Sequence, residues 1–400
     1  MKIKVAVMFG GKSTEHDISI ISAVQAMNNM DKSKYEIIPV YITKNNEFYT
    51  GEDALKIESF TNIKNLLSKC ERVTFVSEGS KLKLVKLKNK LFSKAEISEI
   101  DVVFPVVHGT NVEDGTLQGY ISMLNVPYVG CDVTASAVGM DKYVMKTVLK
   151  ENNIPVLDCL RFGAKQYYDN CDSVCADIIS KLGFPVIVKP VNLGSSIGIS
   201  VAKDEKGLFK SLETAFSYAD KILVERAITN LKEINCAVLG DCDDAMASEC
   251  EEPVSQAEDI LSFEDKYMKG GKSKTGGTNS SGMASLKRKI PADITPEMRD
   301  TIRKMAVDAF KCLGCNGVTR IDFMIDGDEN KVYLNEVNTI PGSLSFYLWE
   351  PVGIPYAKLI DNLINLAFKR HREQSELTFT FDSNVLEGIK LGGGTKGSKN

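Results

Sequence analysis

The 400-residue chain has little of what marks a membrane, secreted or nucleic-acid-binding protein. No apolar run approaches the ~18 residues of a membrane span. The start "MKIKVAVMFGG" is too short, and too soon followed by polar residues, for a signal peptide. A formal net charge of -4 excludes the overall basic field that favours nucleic acid. We therefore expect a cytoplasmic protein with neither a membrane nor a nucleic acid as partner.

Metal-binding side chains of the zinc type are also scarce. The chain has three histidines, and its ten cysteines do not form the two recognisable ligand pairs of a structural zinc site. The pair in "CLGC", Cys312 and Cys315, lies at the end of an apolar periodic segment, where cysteine usually serves as a small core residue. We expect reduced thiols that pack in the core.

Strand-like and helix-like segments alternate through residues 1–130, which predicts an open, mainly parallel α/β sheet. "IKVAVMFGG" is typical of a strand that runs into a glycine turn. The helical spacing of "TEHDISIISAVQAM" follows it, with Thr14 and Asp17 placed as a capping box. "IIPVYI" and "DVVFPVVHG" indicate further strands. Ligands of such sheets collect beyond the carboxyl ends of the strands, which makes Glu15 and His108 candidate site residues.

Two further units follow, at residues 131–225 and 226–372. Their patterns predict helices over 135–150, 173–182, 297–313 and 356–370, a strand in "FPVIVKP", and strands over 318–325 and 332–338. The Gly-, Ser- and Lys-rich segment 268–283 predicts a flexible loop, and residues 373–400 a flexible tail.

The strongest local signal is "FPVIVKPVNLGSSIGIS" at 184–200. A lysine inside an apolar strand is costly to bury unless its charge meets an anion, so Lys189 is better explained by a phosphate than by packing. The loop after it, with Ser195, Ser196 and Gly198, offers backbone N–H groups and hydroxyls to phosphate oxygens. The alternative is a tight hairpin with a lysine that reaches solvent.

A second signal comes from "VTRIDFMID" and "KVYLNEVN", which flank the turn-like "GDEN" and predict an antiparallel hairpin. Pairing centred on Glu329 sets Asp322 opposite Glu336 and Arg320 opposite Asn338. Opposed carboxylates with Cβ atoms ~5 Å apart repel unless a cation lies between them. The oxygen-rich set suggests Mg²⁺ shared with nucleotide phosphates. The alternative is an exposed hairpin face with solvated side chains.

The motifs together resemble the D-alanine–D-alanine ligases of the ATP-grasp superfamily. "GGKSTEHDIS", "HGTNVEDGTLQG", "MDK", "VIVKPVNLGSSIGIS", "LVERA", "DKY", "RIDF" and "NEVNTIPG" occur in the order found in that family. The resemblance covers roughly residues 1–372. It implies a three-domain ATP-grasp architecture, with an N-terminal open parallel α/β sheet that binds substrate (1–130), followed by central (131–225) and C-terminal (226–372) ATP-grasp domains.

For the nucleotide, the resemblance implies that ATP is a co-substrate held between the last two domains, together with Mg²⁺ or Mn²⁺, as two ions. The phosphate lysines would be Lys142 and Lys189, and the loop that closes over the triphosphate would contain Ser195, Ser196 and Gly198. The implied adenine segment contains Glu225, Arg226 and Ile228, the ribose carboxylate is Glu233, and Lys266 is a further cofactor-binding position. The implied metal ligands are Asp322, Glu336 and Asn338.

For the reacting amino acids, the resemblance implies a second group of residues. Arg320 and the backbone of Gly342 would stabilise the tetrahedral intermediate. Glu15 would accept the ammonium of the first substrate in a network with Ser195 and Tyr267, while His108 falls at a further substrate-binding position. The segment "PGSLSFYLWEP" is shorter than is usual in the family, so the serine that receives the second carboxylate is Ser345 or, as an alternative, Ser343.

The implied reaction joins two D-alanines through an acyl phosphate, giving D-alanyl-D-alanine for peptidoglycan, and the implied assembly is a homodimer. "DKY" keeps Tyr267, where relatives that use D-lactate depart from tyrosine, so an amine is the expected second substrate. Two alternatives stay open: a D-alanine–D-serine ligase, and a nucleotide-binding protein that has lost turnover.

Overall fold

The structure, a computed structural model, describes residues 1–79, 81–87, 95–254 and 288–380. Lys266, Tyr267 and the segment 268–283 predicted to be flexible lie outside these residues, as does most of the predicted tail. The described chain forms three sheets, of seven, four and five strands. The first sheet lies within 1–130, the second within 131–226 and the third within 226–372. The domain boundaries themselves stay a prediction.

The first sheet has the strand order β6-β5-β4-β3-β2-β1-β7. Its elements are β1 (Ile3–Gly10), α1 (His16–Asn29), β2 (Tyr35–Ile42), β3 (Phe48–Thr50), α2 (Ile63–Lys69), β4 (Glu71–Glu78), β5 (Lys81–Lys86), β6 (Glu96–Ile100), β7 (Val102–Val106) and α3 (Thr116–Met123). Strand β1 pairs in parallel with β2 and β7, and the side chains of residues 5–9 are fully buried, as a parallel strand covered on both faces requires.

This sheet is less parallel than the sequence predicted. Strands β2 to β6 pair antiparallel with one another. The links from β2 to β3 and from β4 to β5 are short, and a short link can join only antiparallel strands, because a parallel crossover needs a dozen or more residues. The predicted sheet is confirmed as an open α/β sheet, with its parallel pairing confined to the β2-β1-β7 end.

Helix α1 begins differently from the prediction. The residue before it is Glu15, whose side chain makes no cap, so the capping box of Thr14 and Asp17 is wrong. The helix is tied to the sheet instead by Ser19, whose hydroxyl accepts from Gly10 N (2.7 Å) and donates to the Val106 carbonyl (2.6 Å). The Glu15 carboxylate is therefore directed elsewhere.

The second sheet has the order β10-β9-β11-β8 and is antiparallel. Its elements, with the helices that precede and cover it, are α4 (Val133–Met140), α5 (Lys142–Glu151), β8 (Cys159–Gly163), α6 (Ala164–Asp169), α7 (Cys171–Leu182), β9 (Val186–Pro190), β10 (Ser200–Ala202), α8 (Glu205–Phe216) and β11 (Lys221–Arg226). The single helix predicted over 135–150 is wrong. Asp141 interrupts it, because its carboxylate accepts from the N–H groups of Tyr143 and Val144 and caps a new helix that begins at Lys142.

The third sheet has the order β14-β13-β12-β15-β16, again antiparallel. Its elements are β12 (Leu231–Gly240), β13 (Ala245–Pro253), β14 (Arg288–Lys289), α9 (Pro296–Cys312), β15 (Gly317–Asp326), β16 (Lys331–Asn338) and α10 (Tyr356–Ser375). Cys315 is buried in the core beneath it and Cys312 packs against that core, as predicted. Among the described residues, no helix is long and apolar enough to cross a bilayer.

Helix α10 joins the first and third sheets. Its apolar side chains, such as Leu359 and Leu363, belong to the same core cluster as β1 and β7 of the first sheet and parts of β12 and β15. The C-terminal ends of β1 and β16 are thereby brought into one region, where the polar residues singled out in the sequence lie.

Candidate active site

A cavity at this junction is lined by residues from all three sheets and their loops. Many of the site residues predicted from the sequence lie in its wall: Glu15, His108, Lys142, Lys189, Ser195, Ser196, Glu233, Arg320, Asp322, Glu336, Asn338 and Gly342. The segment predicted for adenine, with Glu225, Arg226 and Ile228, lines an adjoining cleft that shares Lys189 and Glu233 with the cavity.

The β15–β16 hairpin has the predicted register at the site. Asp322 pairs with Glu336 and Arg320 with Asn338, so all four residues lie on the cavity face. Arg320 grips Asp322 with two hydrogen bonds (2.6 and 2.7 Å), and the Asn338 amide donates to the same carboxylate (3.1 Å). Lys142 Nζ lies 3.5 Å from Glu336. Each of the two opposed carboxylates therefore has a cation beside it.

Nearer the turn the register departs from the prediction. Phe323 pairs with Leu334, so Asn335 is an extra residue in β16, a β-bulge. The bulge brings Asn335 to the cavity wall next to Glu336, and its side-chain oxygen accepts from Lys189 Nζ at 3.1 Å. Sequence reasoning missed Asn335, because nothing in "YLNEVN" marks a bulge.

Lys189 meets a buried carboxylate. Its ammonium is hydrogen-bonded to Glu225, whose other oxygen accepts from Lys146 Nζ at 2.6 Å. Burial alone would raise the pKa of Glu225, but the attraction of the two lysines outweighs it and lowers the pKa to about 2. Lys189 is 4% exposed, so it does not reach solvent as the alternative hairpin interpretation required.

The loop between β9 and β10 carries Ser195, Ser196 and Gly198, all with positive φ. The Ser195 hydroxyl donates to Glu15, which confirms the contact between two of the three residues in the predicted network. A Cβ at Gly194 would stand 2.8 Å from a Glu15 oxygen, so a side chain at this position would have to displace the Glu15 carboxylate. Lys142 Nζ also holds the loop backbone, because it donates to the Leu193 carbonyl at 2.8 Å.

On the opposite side, His108 holds the backbone around Gly342. The Ile340 carbonyl can only accept, so His108 Nδ1 carries the proton and donates to it (2.8 Å). Nε2 then accepts from the Ser22 hydroxyl (2.9 Å), whose oxygen accepts from Ser343 N (2.9 Å). Burial lowers the pKa of His108 to about 4, so the ring is neutral. Both ring nitrogens are therefore bonded within the chain, although the ring lines the cavity.

Glu113 secures the same segment, and sequence reasoning missed it. Its carboxylate accepts from Gly109 N (2.9 Å) and Ile340 N (2.8 Å). Burial raises the pKa of Glu113 to about 7. The quoted motif "HGTNVEDGTLQG" contains it, but a loop carboxylate is solvated by default, and Asp114 beside it is not buried.

The serines expected to receive the second substrate are both fully buried and lie outside the cavity wall. Ser343, Leu344 and Ser345 have φ near +50°, a run of left-handed backbone that costs about 1–3 kcal/mol per residue. The Ser343 hydroxyl donates to Gln25 (2.7 Å), while the Ser345 hydroxyl has no hydrogen-bond partner among the residues described. The role of Ser345 stays a prediction.

Comparison with known proteins agrees with this arrangement. The family models "D-ala D-ala ligase N-terminus" and "D-ala D-ala ligase C-terminus" match residues 4–131 and 148–365. The D-alanine–D-alanine ligase of Caldicellulosiruptor bescii is 43% identical over 95% of this chain and 99% of its own, and that of Thermosipho africanus 39% identical over 96% and 98%.

Solved structures give the same result. The ligase from Coxiella burnetii superposes with a TM-score of 0.75 at 33% identity, over 94% of this chain and 96% of its own. The VanG D-Ala:D-Ser ligase from Enterococcus faecalis superposes with a TM-score of 0.74 at 30% identity, over 92% of this chain and 100% of its own. The three-sheet fold, the cavity between the sheets and these matches lead to one conclusion: the chain belongs to the D-alanine–D-alanine ligase family.

Proposed function

We propose that the protein is an ATP-dependent D-alanine–D-alanine ligase that makes the dipeptide for peptidoglycan. The observation that carries the proposal is the cavity face on which Arg320, Asp322, Glu336 and Asn338 lie together, beside Lys142. Such a face suits phosphoryl transfer, where catalysis is mostly positioning and neutralisation of charge. Family membership supports the use of ATP.

The reaction needs two steps. The carboxylate of one D-alanine attacks the γ-phosphorus of ATP, and the bond to ADP breaks, which gives D-alanyl phosphate. The amine of a second D-alanine then attacks the acyl carbon, and the tetrahedral intermediate expels phosphate as the nitrogen loses a proton. No nucleophilic side chain is required.

The residues suit these steps. Lys142 and Lys189 would neutralise the phosphates, and Arg320 with the N–H of Gly342 would hold the oxyanion of the tetrahedral intermediate. Glu15, fixed by Ser195, would accept the ammonium of the first D-alanine. Residues 194–196 line the cavity together with Lys142 and Lys189, where the loop would shield the acyl phosphate from water.

The hairpin face also fits a metal ion. Asp322, Glu336 and Asn338 offer carboxylate and amide oxygens, the hard ligands that Mg²⁺ or Mn²⁺ takes. In the described part of the chain, no three His, Cys, Asp or Glu side chains are grouped to hold a metal by themselves, so phosphate oxygens would complete the shell. Bound Mg²⁺ would neutralise charge on those phosphates.

The second substrate is proposed to be D-alanine rather than D-serine. Relatives that are 36–43% identical over nearly the full chain carry the name D-alanine–D-alanine ligase. A protein without turnover would not need to retain Arg320, Asp322, Glu336 and Asn338 together.

A cytoplasmic location and a homodimer are part of the proposal and rest on family resemblance; light scattering of the purified protein tests the dimer.

The test is phosphate release from ATP and Mg²⁺, first with D-alanine alone and then with D-serine or D-lactate added, with the dipeptide identified by mass spectrometry. We expect release that depends on D-alanine. Glu336→Gln should reduce turnover to about 1% or less, because a metal ligand is lost. Glu297→Gln, an exposed carboxylate on α9, is the matched control. ATP turnover indifferent to D-amino acids would refute the proposal.

A further inference from the structure

Lys146 is a buried lysine to which the mechanism above gives no role. Its side chain is 2% exposed and lies four residues after Lys142 on α5, so both project from the same face of the helix. Lys142 Nζ contacts Glu336 and the Leu193 carbonyl in the loop between β9 and β10, while Lys146 Nζ contacts Glu225. Helix α5 thus places two ammonium groups close to the part of the cavity where the nucleotide would lie.

Glu225 lies between two lysines. On β11 it follows Leu223 by two residues, and Leu223 is paired with Lys189 of β9, so Glu225 and Lys189 lie on the same face of the sheet. One Glu225 oxygen takes Lys146 and the other takes Lys189. Glu225 is fully buried, and the two lysines are almost so.

Two ammonium groups and one carboxylate leave this cluster with a net charge of +1. A buried surplus charge is unfavourable unless an anion lies nearby. Lys189 is the member that lines both the cavity and the adjoining cleft, so the surplus faces the space where the nucleotide would lie.

We propose that Lys146 is a positioning residue for ATP binding: it keeps Glu225 paired, so that the charge of Lys189 serves the phosphates. This inference rests on the proposed function. Without Lys146, Glu225 and Lys189 form a neutral pair. Moving Lys189 to a phosphate would then strand a buried carboxylate, which is strongly unfavourable. With Lys146 present, Lys189 moves and Glu225 stays compensated.

The test compares ATP affinity, by titration calorimetry, in variants that change the charge of the cluster. K146M removes the surplus charge, and we expect ATP binding to weaken about ten- to a hundredfold, the effect of one unit charge a few ångströms away in a partly screened site. The KM for D-alanine should stay unchanged. K146M/E225Q restores the +1 charge through Lys189 alone, and ATP affinity should recover most of the loss.

The control is K150M, which removes an exposed lysine from the next turn of α5 and should leave ATP affinity unchanged. K146Q keeps a hydrogen-bond donor to Glu225 without its charge, and it repeats the test should K146M not fold. Wild-type affinity in K146M or K146Q would overturn the inference. So would a double variant no better than K146M, which would indicate a purely structural role. Failure of the wild-type protein to bind ATP would refute the proposed function instead.

Discussion

The two sides of the cavity are built on different principles. On the side proposed for the nucleotide, Lys146, Glu225 and Lys189 form a buried cluster of charges. On the side proposed for the reacting acyl group, His108 and Ser22 form a neutral hydrogen-bonded chain that holds the backbone around Gly342. A charged cluster can exchange one partner for a phosphate, whereas a neutral chain fixes a position. The charged cluster therefore suits the proposed binding of ATP phosphates. The neutral chain suits the backbone N–H of Gly342, which must be in position before the reaction begins.

Burial has opposite outcomes in the two regions because the partners differ. Glu225 keeps its charge, with a pKa lowered to about 2, since two lysines flank it. His108 loses its charge, because burial lowers its pKa to about 4 and the hydrogen bond to the Ile340 carbonyl only partly offsets that effect. Equal burial therefore does not predict the protonation state; the nearest charges decide it.

The largest expected effect comes from the charged side. Lys189→Met should reduce kcat/KM for ATP by about a hundredfold or more, as when a group that stabilises transition-state charge is lost. Steady-state kinetics with varied ATP at saturating D-alanine measures it. The matched control is Lys210→Met, an exposed lysine on α8. A change of less than about threefold would mean that Lys189 serves only to pair Glu225.

An intermediate effect is expected from the neutral side. Ser22→Ala removes the hydroxyl that joins His108 to Ser343 N, leaving a buried N–H unpaired at a cost of about 1–3 kcal/mol and loosening the backbone beside Gly342. We expect kcat to fall about tenfold with the KM for ATP unchanged, which separates the two sides. Ser33→Ala, at an exposed turn, is the control. A rise in the KM for ATP as large as the fall in kcat would show that the neutral side of the cavity also affects ATP binding, and would contradict the proposed separation of the two sides.

The smallest effect concerns the stability of the fold against pH. Burial raises the pKa of Glu113 to about 7, so its contribution to stability is present below its ordinary pKa of 4.5 and is lost as pH rises through 7. Glu225, with its lowered pKa, behaves oppositely and loses its contribution only as pH falls toward 2.

Urea unfolding of Glu113→Gln between pH 5 and pH 8 tests this directly. The variant should be less stable at pH 5, because one backbone N–H loses its acceptor, yet it should show a flatter decline toward pH 8 than the wild-type chain. An unchanged slope would show that Glu113 does not titrate in this range.

The hairpin shows how far local sequence reasoning reaches. Its turn and alternation predicted the pairing of Asp322 with Glu336, because a short antiparallel hairpin leaves few registers. The bulge at Asn335 was beyond prediction, since its surroundings come from distant parts of the sequence: Lys189 donates to Asn335, and Val156 forms a bridge with Leu334. The interruption at Asp141 was missed for a related reason: the apolar periodicity continues across it, and only the cap reveals the new helix.

Contacts between distant segments were the least predictable. Nothing in the sequence singles out Lys146, and its pairing with Glu225 is seen only once the fold brings α5 and β11 together. The family resemblance predicted many of the residues that meet at the cavity, but neither that Ser343 and Ser345 are buried outside its wall nor that His108 and Glu113 hold Ile340. The roles assigned to the site residues stay predictions until the variants are measured.

The bulge in β16 also makes one position of this strand dispensable for its geometry. Leu334 faces the core, and Asn335 and Glu336 both line the cavity. A strand that lacked Asn335 would run directly from Leu334 to Glu336, and ordinary alternation would keep every remaining side chain on its present face. In a homologue whose strand is one residue shorter here, the gap would therefore fall at Asn335. Such a homologue would keep the carboxylate face intact and lose the amide that contacts Lys189.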